Sequence, residues 1–222
     1  MNDAIAVLIS FAYVFATLGV AELVRRLARL PTEFTRKFVH VAVGMWAFGT
    51  AALFSTVWGA LIPPLAFVGL NYLSYRRGLF AAMETGDKTN LGTVYFPLAF
   101  AGLIALFFET NRALMVIALM PMTWGDAFAA IIGKRWGRHQ YAVLGAQRSL
   151  EGSAAMLLFS LLGAVLAGLA LGLAAPNAVV LGSALAVAAT LVEALSVRGL
   201  DNLFVPAACA AVCSALQGLA VV

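Results

Sequence analysis

The amino-acid sequence predicts an all-α fold, a polytopic transmembrane helix bundle with about eight spans that forms one membrane domain over residues 1–222. Two observations lead to this prediction. Hydrophobic residues make up 63% of the chain and charged residues 11%, with a mean hydropathy of +0.97. Apolar runs of roughly 18 residues or more, long enough for a helix to cross the hydrocarbon of a membrane, fill most of the chain. A soluble domain of this length would need many more charged residues on its surface.

In chain order the predicted spans are approximately residues 4–24, 38–56, 58–75, 92–108, 113–132, 153–174, 178–197 and 203–221. The chain begins Met1-Asn2-Asp3, without the basic segment of a secretory signal, so the first span is expected to remain as a helix.

Cys209 and Cys213 share one helix face in the last span. A disulfide is unfavourable at that spacing, so both are expected to be small core residues.

The basic residues are distributed unevenly over the connections between the spans. Of the 14 lysines and arginines, only Arg112 falls on one side of the predicted membrane. The others lie on the opposite side: Arg25, Arg26, Arg29, Arg36, Lys37, Arg76, Arg77, Lys88, Lys134, Arg135, Arg138, Arg148 and Arg198. The positive-inside rule predicts that this side is cytoplasmic, in the cell (inner) membrane, with both termini outside. Basic residues in short loops do not form the surface of a nucleic-acid-binding domain.

Ionisable groups within a bilayer usually mark a functional site or a satisfied ion pair. Such groups, and one asparagine, occur near the cytoplasmic ends of the predicted spans: Glu22, His40, Asn71, Asp126 and Glu193. The other halves of the spans contain almost none. This asymmetry predicts a polar cavity that opens to the cytoplasm. The long cytoplasmic connections 25–37, 76–91 and 133–152 are expected to be functional, since loops of this length in compact proteins often are.

Each of these polar residues also has a structural interpretation. Glu22 precedes two arginines by three and four residues, the spacing of a helix ion pair. Asn71 could form a hydrogen bond between two helices, and His40 could be a packing residue, although it shares a helix face with two basic residues. Glu193 has no close basic residue in sequence and therefore needs a metal or a distant basic group as its partner.

The segment TWGDAFAAIIGKRWG, residues 123–137, places a carboxylate beside small and basic residues. Asp126, Ala129, Ala130 and Gly133 share one helix face, so another backbone or a ligand can come close. The basic residues that follow are Lys134, Arg135 and Arg138. Magnesium-assisted phosphoryl transfer needs this combination, because the metal binds carboxylate and phosphate oxygens together while cations neutralise the developing charge. The segment therefore predicts a phosphate and metal site.

The segment QRSLEGS, residues 147–153, is typical of a helix start. Ser149 is a suitable N-cap, and Glu151 lies in the first turn, where an acidic residue favours the helix dipole. Capping alone would explain both residues. With Arg148, Gly152 and its free amides, the same helix start is also suited to bind an anion. Neither segment is a P-loop, and the chain has no dinucleotide-binding glycine pattern.

Four motifs follow one another along the chain. They are RKFVH at 36–40, GD followed by GKRWG within 125–137, RSLEG at 148–152, and E…RGLDNLFVP within 193–206. This ordered set resembles the polyprenol kinase family, which includes dolichol kinase, phytol kinase and the CTP-dependent diacylglycerol kinase. NLGTVYFP at 90–97 resembles the phytol kinase branch. The resemblance implies transfer of the γ-phosphate of a nucleotide, typically CTP, to a long-chain lipid alcohol with a divalent metal such as Mg²⁺.

The resemblance and the residue types together define a candidate site. The expected metal ligands are Asp126, Glu193 and Asp201. Lys37 and His40 complete the catalytic set with Asp126 and Glu193, and His40 is the candidate base for the lipid hydroxyl. The expected nucleotide- and phosphate-binding residues are Arg36, Gly125, Gly133, Lys134, Gly137, Arg148, Ser149, Glu151, Gly152 and Asn202. At Arg148 the chain departs from the family, in which a lysine usually precedes the serine.

Two other functions are compatible with parts of the sequence. A phosphatidate cytidylyltransferase also uses CTP, but its usual HGG element is missing, and only His40 and His139 occur in the chain. An ion-coupled transporter could use Asp126 and Glu193 as ligands, but these residues lie near one membrane face rather than at the midplane. The expected partners are a membrane lipid and a nucleoside triphosphate, and no nucleic acid. The sequence leaves open whether the lipid is phytol, a longer polyprenol or diacylglycerol, and whether the chain forms a homo-oligomer.

Overall fold

The computed structural model describes residues 2–79 and 89–218. Lys88, which belongs to the predicted cytoplasmic set of basic residues, lies outside the described residues. So do residues 80–88 of the predicted connection 76–91 and residues 219–221 of the predicted span 203–221.

Helices form almost all of the described chain, together with one short β-hairpin. In chain order the elements are α1 (Asp3–Ala28), α2 (Thr32–Leu53), α3 (Val57–Arg77), α4 (Gly92–Phe107), α5 (Arg112–Met120), a π-helical turn (Pro121–Gly125), α6 (Asp126–Trp136), β1 (Gln140–Val143), β2 (Ala146–Ser149), α7 (Leu150–Ala170), α8 (Ala175–Leu195) and α9 (Asp201–Gly218). α5, the π-helical turn and α6 are continuous and form one rod. The described helices thus make eight rods, each of which coincides with one predicted segment.

Five of these rods are long and apolar enough to cross a membrane: α1, α3, the rod Arg112–Trp136, α7 and α8. α4 is apolar but shorter, at 16 residues. Large apolar side chains such as Leu8, Leu27, Leu166 and Leu191 are exposed on the helix surfaces, where contact with lipid suits them better than contact with water. The protein is therefore a helical membrane protein.

The rod Arg112–Trp136 forms the centre of the bundle. In its most apolar stretch 72% of the residues are buried, compared with 33–39% in the other four membrane-length helices. The side chains from Leu114 to Met120 all lie in the core. α7 packs against α6 and α8, and α9 packs against α4 and α8. A polar side chain on the central rod is consequently surrounded by protein rather than by lipid.

Side-chain caps fix where helices begin. Ser149 Oγ accepts a hydrogen bond from the Gly152 amide at 3.1 Å, which confirms the N-cap predicted at the start of α7. Asn111 Oδ1 caps α5 by accepting hydrogen bonds from the amides of Ala113 and Leu114 at 3.1 and 3.2 Å. The Asn111 cap lies in the short connection between α4 and α5, whereas the Ser149 cap lies at the end of the longer connection between α6 and α7.

The connection 133–152 contains structure that the sequence did not predict. β1 and β2 form an antiparallel hairpin in which Gln140 pairs with Ser149 and Val143 pairs with Ala146. Its two-residue turn, Leu144-Gly145, has positive φ angles of 50° and 84°, as a tight hairpin turn requires. The all-α prediction therefore holds for the bundle but not for this hairpin.

Several structural interpretations of polar and sulfur-containing residues are confirmed. Glu22 Oε1 lies 2.7 Å from Arg25 Nη2, in the predicted helix ion pair. Asn71 Nδ2 donates a hydrogen bond to the Thr93 carbonyl at 2.8 Å and so links α3 to α4. Cys209 and Cys213 in α9 are buried free thiols, as expected for small core residues.

Candidate functional site

Asp126 lies where the central rod changes from a π-helical turn to α6. Pro121, at the start of the turn, has no backbone N–H and cannot complete regular α-helical hydrogen bonding. The Asp126 amide donates its hydrogen bond to the Pro121 carbonyl, five residues earlier. In a regular α-helix that amide would bond to the Met122 carbonyl. The Met122 carbonyl instead accepts a hydrogen bond from His40 Nε2 at 2.8 Å.

Lys37, His40 and Asp126 form one buried cluster. Lys37 Nζ is 2.5 Å from Asp126 Oδ2, and His40 Nε2 is 3.5 Å from the same oxygen. The side chains of Lys37 and Asp126 are only 6% and 9% exposed. Such burial is tolerated because each charge has an opposite partner. The structure thus brings together three of the four predicted catalytic residues.

The hydrogen bond of His40 defines the protonation of its neutral ring. A carbonyl oxygen can only accept, so Nε2 must carry the proton that is donated to Met122. Nδ1 is then the unprotonated nitrogen of the neutral ring and can accept a proton. Gly44 lies one helical turn after His40, and a side chain there would overlap Thr123 in the π-helical turn. The absence of that side chain lets α2 approach the central rod closely enough for the His40 contact.

A second cluster joins Arg148 on β2 to Glu193 on α8 and Asp201 on α9. Arg148 Nε is 3.1 Å from Glu193 Oε1, and Arg148 Nη2 is 3.5 Å from Asp201 Oδ2. Nη2 also donates hydrogen bonds to the carbonyls of Glu193 and Ser196, at 3.2 and 3.0 Å, at the end of α8. The distant basic partner that Glu193 requires is therefore Arg148.

A polar cavity of about 290 Å³ lies between these clusters. Its lining includes a carboxylate from each cluster, Asp126 and Glu193, and the small residues predicted to share a face with Asp126. The remaining lining residues are Ala129, Ala130, Gly133, Lys134, Gln140, Gln147, Arg148, Ser149, Gly152 and Ser153. The two predicted segments thus meet around one cavity, on α6, the hairpin and the start of α7.

An apolar cavity of about 80 Å³ lies on the other side of His40, between α1, α2, α3 and α4. Its apolar lining includes Val14, Leu18, Val43, Pro63, Phe67 and Phe96. Three hydroxyl residues line it as well, Ser10, Thr50 and Thr93, together with four larger polar side chains: Arg36, His40, Asn71 and Asn202. His40 borders the apolar cavity and contacts Asp126, which borders the polar one, so this contact lies between the two cavities.

Each of the four predicted glycines, Gly125, Gly133, Gly137 and Gly152, lies where a side chain would meet a neighbouring group. A Cβ at Gly133 would stand 3.2 Å from Ser149 Oγ and 3.4 Å from the Gly152 Cα, so α6 and α7 touch through their backbones there. Gly133 and Gly152 also line the polar cavity, whereas Gly125 and Gly137 are absent from its lining. A side chain at Gly125 would overlap Ser160, and one at Gly137 would overlap the Gly133 carbonyl.

The start of α7 offers fewer free groups to an anion than the sequence predicts. The Leu150 amide donates to the His139 carbonyl at 2.9 Å, and the Gly152 amide donates to Ser149 Oγ. Glu151 Oε1 lies 2.7 Å from His139 Nδ1, and the carboxylate also accepts a bond from the His139 amide. Glu151 therefore fastens the hairpin to α7, and it does not line the polar cavity.

Two of the basic residues predicted to bind phosphate, Arg36 and Lys134, lie close to the carboxylate of Glu33. Arg36 pairs with Glu33 at 2.7 Å. Lys134 Nζ lies 3.7 Å from Glu33 Oε2, but its side chain is 71% exposed. Lys134 is therefore free to turn toward an anion in the polar cavity that it lines.

The predicted set of three carboxylates is not assembled as a metal site. Within residues 2–79 and 89–218, no group of three or more His, Cys, Asp or Glu side chains is arranged to hold a metal ion. Asp201 uses one oxygen toward Arg148 and the other toward Asn202. Asp126 and Glu193 each keep one carboxylate oxygen without a hydrogen bond from a described residue. Mg²⁺ usually takes one or two carboxylates together with substrate phosphates, so the oxygens of Asp126 and Glu193 fit it. Both oxygens of Asp201 have protein partners, and its role as a metal ligand stays a prediction.

Three polar residues that line the polar cavity, Gln140, Gln147 and Ser153, are not among the predicted site residues. Gln140 and Gln147 line the polar cavity, and the pairing of Gln140 with Ser149 and of Ala142 with Gln147 places all four on one face of the hairpin. Residues 140–149 do not alternate between polar and apolar types, so the sequence carries no strand pattern that would have indicated these two glutamines.

The chain is similar over most of its length to a phytol kinase of Synechocystis sp. The two are 35% identical over 204 residues, which cover 91% of this chain and 87% of that protein. A "Probable phytol kinase, chloroplastic" of Triticum aestivum is 28% identical over 66% of this chain and 54% of its own length. A "Probable phytol kinase 1, chloroplastic" of Glycine max is 30% identical, over 60% and 47% respectively.

Family models and solved structures gave no match. The bundle and its two cavities define a membrane protein with a buried charged site between a polar and an apolar compartment. The similarity to the Synechocystis protein identifies it further: the chain belongs to the polyprenol and phytol kinase family and is a lipid-alcohol kinase, a phosphotransferase. The kinase prediction is thereby confirmed over the cytidylyltransferase and transporter alternatives.

Proposed function

We propose that this enzyme transfers the γ-phosphate of CTP to the hydroxyl group of phytol, or of a closely related long-chain lipid alcohol. One observation carries the proposal: His40 lines the apolar cavity and stands 3.5 Å from Asp126, which lines the polar cavity. An alcohol with an apolar tail and a charged nucleotide each have a compartment of matching chemistry. The reacting groups would meet at the contact between His40 and Asp126.

The nucleotide occupies the polar cavity in this proposal. Lys134 and the positive end of the α7 dipole favour its phosphates there. Asp126 and Glu193 would hold Mg²⁺ through their free oxygens, and the ion would neutralise charge on the phosphates. Gln140 and Gln147 offer amide donors and acceptors to the cytosine base from the hairpin.

The residues around the reacting hydroxyl have distinct roles. Lys37 keeps the Asp126 carboxylate charged and oriented within the protein. The Met122 carbonyl holds His40 by Nε2, which leaves Nδ1 to accept the hydroxyl proton. As that proton leaves, the alcohol oxygen bonds to the γ-phosphorus and the bond to the β-phosphate oxygen breaks. The products are a lipid monophosphate, CDP and one proton.

Product analysis tests this reaction directly. Purified protein is supplied with Mg²⁺, phytol and CTP labelled at either the α- or the γ-phosphorus. We expect the γ-label to appear in a lipid monophosphate and the α-label to remain in CDP. Appearance of the α-label in the lipid, with release of pyrophosphate, would contradict kinase chemistry. Other nucleoside triphosphates and a panel of polyprenols and diacylglycerol, tested under the same conditions, then establish both preferences.

The proposed orientation places the polar cavity at the cytoplasmic face of the cell membrane, with eight spans in one membrane domain. It is supported by the distribution of basic residues, since only Arg112 belongs to the opposite side. Single cysteines at the exposed positions Arg138 and Asn177, in a chain with Cys209→Ala and Cys213→Ala, test it in intact cells. A membrane-impermeant reagent should label position 177 and not position 138. The reverse pattern would invert the orientation.

A further inference from the structure

One of the residues that line the apolar cavity has a side-chain atom without a hydrogen-bond partner in the described part of the chain. Asn71, on α3, is only 7% exposed and lines this cavity. Its Oδ1 is buried and accepts no hydrogen bond from any residue in the described part of the chain. A buried acceptor without a donor is destabilising, so such an atom on a residue beside a cavity favours a ligand that donates a hydrogen bond.

The hydrogen bond of the other amide atom fixes the orientation of the Asn71 side chain. Nδ2 donates to the Thr93 carbonyl at 2.8 Å. A carbonyl cannot donate, so rotating the amide by half a turn would place two acceptors together. Oδ1 is therefore the atom left for a ligand. Because it can only accept, it distinguishes a hydroxyl group from an ether or a hydrocarbon.

We infer that Asn71 is the residue that recognises the hydroxyl group of the lipid alcohol, by accepting its hydrogen bond in the apolar cavity. The inference rests on the proposed function, which places the lipid there. The same cavity carries Arg36, His40 and Asn202, so its polar side chains offer a place for the one polar group of the substrate. The apolar lining from α1 to α4 is left to the part of the hydrocarbon tail next to the hydroxyl, since a cavity of about 80 Å³ holds only a portion of the tail.

The roles of Asn71 and His40 belong to different stages of the reaction. A hydroxyl has one proton and donates it to one acceptor at a time. The hydrogen bond to Asn71 therefore belongs to the resting complex, and the proton leaves toward His40 when phosphoryl transfer begins. Asn71 is accordingly a positioning residue, whose loss raises the KM for the alcohol without lowering kcat.

Equilibrium binding tests the inference without any turnover. Tritiated phytol is bound to the purified protein in detergent, in the absence of nucleotide, and is displaced by unlabelled phytol or by phytyl methyl ether, which lacks the donor. The wild-type protein should prefer phytol by about five- to tenfold, the effect of one neutral hydrogen bond. In Asn71→Leu the two competitors should be equal.

Thr50→Val is the matched control. Thr50 is a buried polar residue that lines the same cavity, but it lies ten residues beyond His40, about 15 Å along α2. This variant should keep the preference for phytol. If Asn71→Leu keeps it as well, Asn71 does not recognise the hydroxyl. If that variant does not fold, the wild type still decides, because equal binding of alcohol and ether overturns the inference.

The turnover assay separates this inference from the proposed function. A wild-type protein that phosphorylates no lipid alcohol with any nucleotide contradicts the proposed function, whatever the binding result. A wild-type protein that is active, combined with an Asn71→Leu variant whose KM for phytol is unchanged, contradicts only the role of Asn71.

Discussion

Arg112 and Arg148 lie at opposite ends of the bundle, and their guanidinium groups contact different kinds of partner. Arg112 donates to the backbone carbonyls of Ala51, Phe54 and Phe108, at 3.0, 2.8 and 3.2 Å, and it stacks 3.9 Å from the centre of the Phe108 ring. Arg148 instead pairs with the carboxylates of two other helices beside a cavity. We call these the capped end and the cavity end.

The difference shows how charge is used in this bundle. At the capped end, Arg112 satisfies backbone groups at the end of α2, as a helix cap does. At the cavity end, buried charges pair with each other, yet Asp126 and Glu193 each keep one oxygen that no residue of 2–79 or 89–218 contacts by a hydrogen bond. Ion pairs of this kind contribute little to stability. Their location beside the cavity is explained by function. Variants at the cavity end should therefore lower turnover, whereas a variant at the capped end should lower stability alone.

Asp126→Asn should have the largest effect on activity. Asparagine keeps the size of the side chain but removes the charge proposed to bind Mg²⁺, so turnover should fall by about 100- to 1,000-fold. The unfolding temperature should also fall, because Lys37 is then buried without an opposite charge. Turnover and thermal unfolding are measured on one preparation in detergent.

The double variant Lys37→Met/Asp126→Asn separates a catalytic role of Asp126 from a structural one. Removing both charges should restore much of the unfolding temperature, since neutral replacement of a buried pair is often tolerated. Turnover should stay low. Asp126 is not the metal ligand if Asp126→Asn retains more than about a tenth of wild-type turnover at saturating Mg²⁺, a loss of at most about 1.4 kcal/mol.

Arg148→Met should have the next largest effect and should change both properties. It leaves Glu193 without its basic partner and removes two hydrogen bonds at the end of α8. We expect turnover to fall by about 10- to 100-fold, with a lower unfolding temperature. Arg148→Lys keeps the charge but not the forked contacts, so it should recover part of the turnover. Equal turnover in Arg148→Met and the wild type would contradict a role for this cluster.

Arg112→Met tests the capped end. Three backbone carbonyls lose their donor, so the free energy of unfolding should fall by about 1–3 kcal/mol. The folded fraction should keep the kcat and both KM values of the wild type. A large fall in kcat without a change in stability would contradict a purely structural role of Arg112 at the capped end.

Lys134→Gln should have the smallest effect. Its side chain is 71% exposed, so its pair with Glu33 contributes little to stability. The KM for the nucleotide should rise about two- to fivefold, less at high salt, because exposed charges are screened. Arg135→Gln is the control, since Arg135 carries the same charge one residue later but does not line the cavity. An equal rise in both variants would indicate a general effect of charge.

The helices could be predicted because their causes are local. The apolar runs predicted each of the eight helical rods, and Ser149 indicated the start of α7 because serine is a favourable N-cap residue. The π-helical turn after Met120 could not be predicted, because a proline within an apolar run is also compatible with a kink or a helix end. The hairpin was missed because its turn, Leu144-Gly145, is not one of the usual turn sequences.

Part of the predicted residue set lies around the polar cavity, whereas the pairing of the side chains could not be predicted. Asp126, Gly133, Lys134 and Ser149 do line one cavity. The partner of Asp126 is Lys37, which is 89 residues away in the chain, and packing alone decides such a contact. The same applies to Asp201, which the sequence places among the metal ligands and the structure places against Arg148.

The division of the two substrates between the two cavities is tested most directly by adding bulk to each cavity in turn. Ala130→Leu adds bulk to the polar cavity, and Val43→Phe adds bulk to the apolar one. The KM for CTP and the KM for phytol are measured in both variants. We expect Ala130→Leu to raise only the KM for CTP and Val43→Phe to raise only the KM for phytol. The opposite assignment, or an equal rise of both KM values in either variant, would contradict the division of the two substrates between the two cavities.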